Sequence, residues 1–253
     1  MITDAFSLAS EPIISLDMLG PQRHLTDTCI ITFSDVIMRS VLDAFAWEEA
    51  GGIRTCGGVT PLYLIKDRER KIGVFQAHTG SAMAGSDLIE ANWYLGATSF
   101  IVFGSCGCVN KEAAQGKYVI PTAAYRDEGM SYHYAPPADY IQMPGWEKTE
   151  KVFQKLRLPY ALGKTWTTDA FYRELRHQML QRKEEGCLAV DMEAAGLQAV
   201  CDFHRLNLYC FLMCGDVLDS PSWDEGALRQ ANHHLNNFDI ALSIAREIAS
   251  CQE

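Results

Sequence analysis

Short apolar runs recur along the chain, each followed by a stretch in which apolar positions return every three or four residues. Runs bounded by turn residues predict buried strands, and the longer period predicts amphipathic helices packed on them. Thr28-Cys29-Ile30-Ile31-Thr32-Phe33 is the first such run. Ser34-Asp35 then caps a helix expected to reach about Ala50, where Gly51-Gly52 ends it. Two strands are expected near 60–66 and 72–78, joined by the charged turn 66–71. A helix follows over about 84–95 and stops at Gly96. Ser99 to Phe103, apolar from Phe100 on, reads as a buried strand that ends at Gly104-Ser105-Cys106-Gly107.

Further strands are expected at 117–126 and 160–167, separated by a Pro/Gly/Tyr-rich excursion from Gly129 to Gly145. The rest predicts a helix at 173–184, a strand at 187–190, a helix at 191–204, a strand at 208–214, and a long helix starting near Asp224. Strands alternating with amphipathic helices define an α/β fold: one three-layer domain, 1–253, with a central mixed sheet flanked by helices. No linker, repeat or low-complexity stretch divides it.

Composition narrows the function. The 253 residues carry a net charge of −10 with Lys and Arg scattered, so no basic face is available for nucleic acid. The first sixteen residues lack the basic start of a signal peptide, and no apolar run is long enough to span a bilayer. Nine cysteines, an odd number, lie mostly in apolar strands or helices; they read as small buried hydrophobes in a reducing cytoplasm.

Sites in such folds lie where strands end and helices begin. Gly104-Ser105-Cys106-Gly107 is either a plain strand exit or a loop whose N–H groups and Ser105 hydroxyl meet an anion. Val190-Asp191-Met192-Glu193-Ala194-Ala195-Gly196 puts Glu193 at a helix start. There it is a first-turn acid or an acceptor for two vicinal hydroxyls. Asp216, after Gly215, caps a turn or donates a proton to a leaving base. Arg229 is a solvated helix residue or a partner for Asp216. Phe171, in Thr167-Thr168-Asp169-Ala170-Phe171-Tyr172-Arg173, is a core ring or a stacking platform. The segment Arg126 to Pro136 is too polar and aromatic for a simple connection. No His or Cys pair has ligand spacing around His133, Cys106 or Cys108, so no metal is expected.

Taken together, these motifs resemble the nucleoside phosphorylase-I family, which includes uridine phosphorylase, bacterial purine nucleoside phosphorylase and methylthioadenosine nucleosidase. The resemblance spans about residues 28–250. It implies Glu193 on the ribose hydroxyls with Met192 against the sugar, and Asp216 protonating a purine at N7 with Arg229 as its helper. It also implies Ser105 at phosphate, and Cys106 and Gly107 by the base. Residues 126–136 and 168–172 are similar to uridine phosphorylases, which implies Phe171 packed on the base. The uracil-reading Gln and Arg expected after Tyr172 are absent.

The resemblance further implies a homo-oligomer (dimer, trimer or hexamer) that needs no cofactor and takes a nucleoside and inorganic phosphate. Yet the family's Gly-Asp-Pro-x-Arg turn is replaced by Thr32-Phe33-Ser34-Asp35-Val36, and its second phosphate-binding Arg by Val102. Arg126 is the expected substitute, with Arg173, Arg176, or Arg39 and Arg54 of a neighbouring subunit as others. The expectation is a nucleoside phosphorylase cleaving a purine nucleoside or uridine. A phosphate-independent nucleosidase is the alternative, and a non-catalytic nucleoside-binding protein the further one.

Overall fold

The computed structural model describes residues 1–9 and 11–250. The chain opens with β1 (Thr28–Thr32), α1 (Asp35–Ala44), β2 (Trp47–Thr55), β3 (Gly58–Asp67), β4 (Arg70–Gln76) and α2 (Ser81–Leu95). It continues through β5 (Ser99–Cys108), α3 (Lys111–Ala114), β6 (Tyr118–Asp127), α4 (Ser131–Tyr134), β7 (Tyr140–Gln142) and α5 (Trp146–Leu156). β8 (Tyr160–Thr168), α6 (Arg176–Glu184), β9 (Cys187–Asp191), α7 (Ala194–His204), β10 (Asn207–Val217), α8 (Leu228–Asn232) and α9 (Asn236–Ser250) complete it.

The strands form one mixed sheet in the order β10-β6-β8-β9-β5-β1-β4-β3-β2, with β7 paired to β6. β10 also pairs with β5, so β5, β10, β6, β8 and β9 close into a ring. The length of β5 makes this possible. Its first half lies between β1 and β10, and its end reaches β9 through Gly107 and Cys108. One face of the sheet is covered by the apolar sides of α2 and α7, including Leu88, Leu95, Leu197 and Val200. The other is covered by α1, α5 and α9 through Val41, Phe153, Phe238 and Ile244. The three-layer mixed α/β arrangement expected from the pattern is what the chain adopts. Among the described residues, no helix is long and apolar enough to cross a membrane.

Three local expectations are corrected. The first helix ends at Ala44, not Ala50, because Phe45 is already extended and 47–55 pairs with β3 as a hairpin. There Trp47 packs edge-on against Tyr63, an aromatic cross-strand contact that a helix could not make. α5, which buries Val152 and Phe153, was not expected at all. The long C-terminal helix is two: Asp224 bridges to Val217, and the chain breaks between α8 and α9. At that break the imidazole of His233 bonds the Ser34 hydroxyl at 2.8 Å, and Asn237 accepts from Tyr118.

Candidate active site

The ends of β1, β5, β9 and β10 open into a cavity of about 1000 Å³. That is the position expected of a site in a sheet of this kind, and the size suits a small molecule. Its walls bring together residues from distant parts of the chain, among them Ser105, Phe171, Met192, Glu193 and Asp216.

Glu193 is fixed by its surroundings. β9 ends at Asp191, whose buried carboxylate accepts from the N–H groups of Glu193 and Ala194 at 2.8 and 2.7 Å. The same carboxylate takes the hydroxyls of Thr165 and Thr167. Asp191, not Glu193, therefore satisfies the first N–H groups of α7. That leaves the Glu193 side chain free to turn into the cavity, where one oxygen accepts from the Gly80 N–H at 2.7 Å. Gly80 has φ +94°, a conformation that favours glycine, and this presents its N–H to the carboxylate. The preceding loop is anchored by buried Asp87, which takes both the backbone N–H and the Nδ1 of His78 at 2.9 Å. Gly196 completes the fit: a Cβ there would come within 2.6 Å of the Ser81 side chain. Burial pushes the Glu193 carboxyl up to about 7, against the pull of the Gly80 N–H.

Asp216 reaches the cavity by a different device. β10 runs in register with β5 from Asn207 opposite Ser99 to Cys214 opposite Cys106, then slips, so that Val217 lies opposite Cys108. The extra residue is a β-bulge, which re-aims side chains locally, and Gly215-Asp216 is inside it. Trp223 from the following loop donates its indole N–H to Asp216 at 2.8 Å. Phe171 and Tyr172 flank this part, with ring centroids 4.1 Å apart and both rings exposed.

Other expected site residues are placed differently. Cys106 and Gly107 line the wall, and Cys106 also lies against Cys214, with 3.8 Å between sulfurs. Ser105 lines it too, but its hydroxyl donates to the Asn232 side chain. Arg229 does not meet Asp216: its side chain is solvated and pairs with Glu225 at 3.5 Å. Five-residue α8 carries it outward.

Arg126 does not reach the cavity. Its buried guanidinium donates to Ser131 Oγ and to the carbonyls of Ala135 and Pro136, and packs over the Tyr132 ring. It pins the 131–136 excursion to β6. Arg126→Met should therefore cost about 2–4 kcal/mol of stability in urea denaturation, since those acceptors lose their buried donor. Any dependence of activity on phosphate concentration should be unchanged in that variant; a phosphate KM raised tenfold would return Arg126 to the site.

Among the cavity residues that escaped sequence reasoning are Trp223 and Glu174, with Asn232 and His233. Trp223 had a readable signal, a large indole in the polar loop Asp219-Ser220-Pro221-Ser222 with no apolar periodicity around it. Glu174 had none. It lines the cavity, where burial and the charge of Asp216 push its carboxyl up to about 7.

Residues 38–249 match the phosphorylase superfamily, and the chain belongs to that family. Within it, the chain is 26% identical to a DeoD-type purine nucleoside phosphorylase of Exiguobacterium sibiricum, over 93% of this chain and 99% of that one. A second DeoD-type purine nucleoside phosphorylase, from another Exiguobacterium strain, is 27% identical over 61% of this chain. That match spans 64% of the relative's own length. The fold superposes on a purine nucleoside phosphorylase from Toxoplasma gondii, in complex with immucillin-H, with a TM-score of 0.70 and 19% identity. That likeness covers 90% of this chain and 94% of the other.

Proposed function

We propose that this protein cleaves the N-glycosidic bond of a purine nucleoside. The observation that carries the reading is the presence of Glu193 and Asp216 in one cavity, each positioned by contacts specific to it. In this reading Glu193 accepts hydrogen bonds from the ribose 2′- and 3′-hydroxyls, with Met192 beside the sugar. Phe171 and Tyr172 give the base an apolar surface. Asp216, as the carboxylic acid, gives its proton to N7 as the C1′–N9 bond breaks and is left as the carboxylate, to be reprotonated from solvent. The bonding pair stays with the base, which leaves neutral, while the sugar passes through an oxocarbenium-like state. Membership of the phosphorylase superfamily, and the chain's relatives being purine nucleoside phosphorylases, support phosphate as the acceptor and ribose 1-phosphate as the second product.

One observation favours a second reading, in which water is the acceptor. Arg176 is the lone Arg or Lys among the described residues that line the cavity, and it is engaged by the carbonyls of Leu218, Ser220 and Pro221. Where the family resemblance calls for phosphate-binding guanidiniums, the wall carries Phe33 and Val102. Ser34 there is bonded to His233, and Ser105 to Asn232. Two charge-assisted pairs would be missing from a phosphate dianion. Base release from purine nucleosides in phosphate-free and phosphate-containing buffer decides between them. Phosphorolysis predicts release that falls away without phosphate, with ribose 1-phosphate formed when it is present. Undiminished release with free ribose as product would replace that reading by hydrolysis.

A further inference from the structure

Beside Asp216 the cavity holds a second carboxylate with no counterpart in the motifs. Glu174 closes the short 3-10 turn Phe171–Arg173, so it is carried on the same segment as the two aromatic rings. It lines the same cavity as Asp216. Among the described residues, no hydrogen bond or ion pair engages its side chain, although burial makes an unpaired carboxylate costly there. The neighbouring donors are engaged elsewhere. Trp223 N–H is on Asp216, and both terminal nitrogens of Arg176 are on backbone carbonyls of 218–221. The polar side chains left unengaged at this end are the Glu174 carboxylate, an acceptor when ionised, and the Tyr172 hydroxyl, which can donate or accept.

We propose that Glu174 reads the group at C6 of the purine and makes the site selective for 6-aminopurine over 6-oxopurine nucleosides. The inference rests on the proposed glycosidic cleavage and on Asp216 acting at N7. N7 and the C6 substituent share one edge of a purine, so two carboxyl groups that line one cavity suit it. A 6-amino group donates to the Glu174 carboxylate. A 6-oxo group presents an acceptor to the ionised carboxylate and is met by a donor only when Glu174 takes up a proton, which it does towards and below about pH 7. A hydrogen bond to a charged group contributes about 1.5–3 kcal/mol, which corresponds to a preference of about 10–150-fold. Glu174 is thus a specificity-determining residue, separate from the chemistry at C1′.

The test is kcat/KM for adenosine and inosine at pH 8, where Glu174 is mostly ionised, in the wild type and in Glu174→Gln. The amide is close in size and can turn either its oxygen or its NH2 toward C6. The wild type should prefer adenosine by at least tenfold. In Glu174→Gln the two rates should converge to within a few fold, by a loss on adenosine and a gain on inosine. Equal rates in the wild type, or an equal loss on both substrates in the variant, would overturn the proposal.

Calorimetric binding of free adenine and hypoxanthine separates this proposal from the catalytic reading. Tighter adenine binding that Glu174→Gln abolishes would uphold base reading even if no nucleoside were cleaved. Equal binding of both bases by the wild type would end it.

Discussion

Asp216→Asn should lower kcat/KM for adenosine by about 10²–10⁴-fold, the usual worth of a positioned proton donor. Asparagine keeps the volume and can still accept from Trp223, so the bulge that holds residue 216 has no reason to rearrange. What it cannot do is share a proton with N7. A purine nucleoside already methylated at N7 carries that positive charge permanently and leaves without needing a proton. The ratio of variant to wild-type activity should therefore recover to within a few fold on N7-methylinosine, each enzyme being compared on the same substrate. A similar loss on both substrates would assign Asp216 to binding rather than proton transfer. Full activity of the variant on adenosine would remove it from the reaction.

That prediction concerns a residue whose identity was legible in the sequence while its placement was not. β1, β5, β9 and β10 were readable because they are apolar on both faces, as strands between two helical layers must be. The cavity wall was readable where it depends on those strand ends, since Gly104 to Gly107, Glu193 and Asp216 all line it. The bulge at Gly215-Asp216 was not, because a one-residue slip against β5 depends on the partner strand and leaves no periodicity.

Arg126 and Arg229 misled for opposite reasons. Arg126 sits in a polar, aromatic segment that looks like a ligand loop, yet its guanidinium is occupied by the turn that follows it. Arg229 has the spacing of a partner for Asp216, but α8 is too short and too exposed to direct it inward. The β2–β3 hairpin was hidden because 45–50 combines good helix formers with aromatic residues. Pairing with β3 overrides a local preference of a few tenths of a kcal/mol per residue.

Glu193 offers the second large effect, and it separates activity from stability. Glu193→Ala should lower kcat/KM by about 10²–10⁴-fold, since two hydrogen bonds to a charged group contribute about 1.5–3 kcal/mol each. On a nucleoside lacking both the 2′- and 3′-hydroxyls, wild type and variant should differ by only a few fold, as a pairwise interaction requires. An undiminished gap on that substrate would place Glu193 elsewhere in the mechanism.

Stability should move the other way in Glu193→Gln. Burial raises the carboxyl from its ordinary 4.5 to about 7, so between those values the native state holds a proton that the unfolded chain has released. The stability tied to that proton is complete below pH 4.5 and is lost as pH rises through about 7. Glutamine carries no charge to desolvate and can still accept from the Gly80 N–H. The variant should therefore unfold at higher urea concentration than the wild type at pH 8, with the difference closing towards pH 4.5. Glu174 titrates over the same range in both proteins, so it cancels from that difference. A Glu193→Gln protein that is both less active and less stable at pH 8 would mean the buried charge is satisfied by the fold alone. A variant more stable but nearly inactive would mean this chain keeps an ionised carboxylate where only a substrate's hydroxyls can complete its hydrogen bonding.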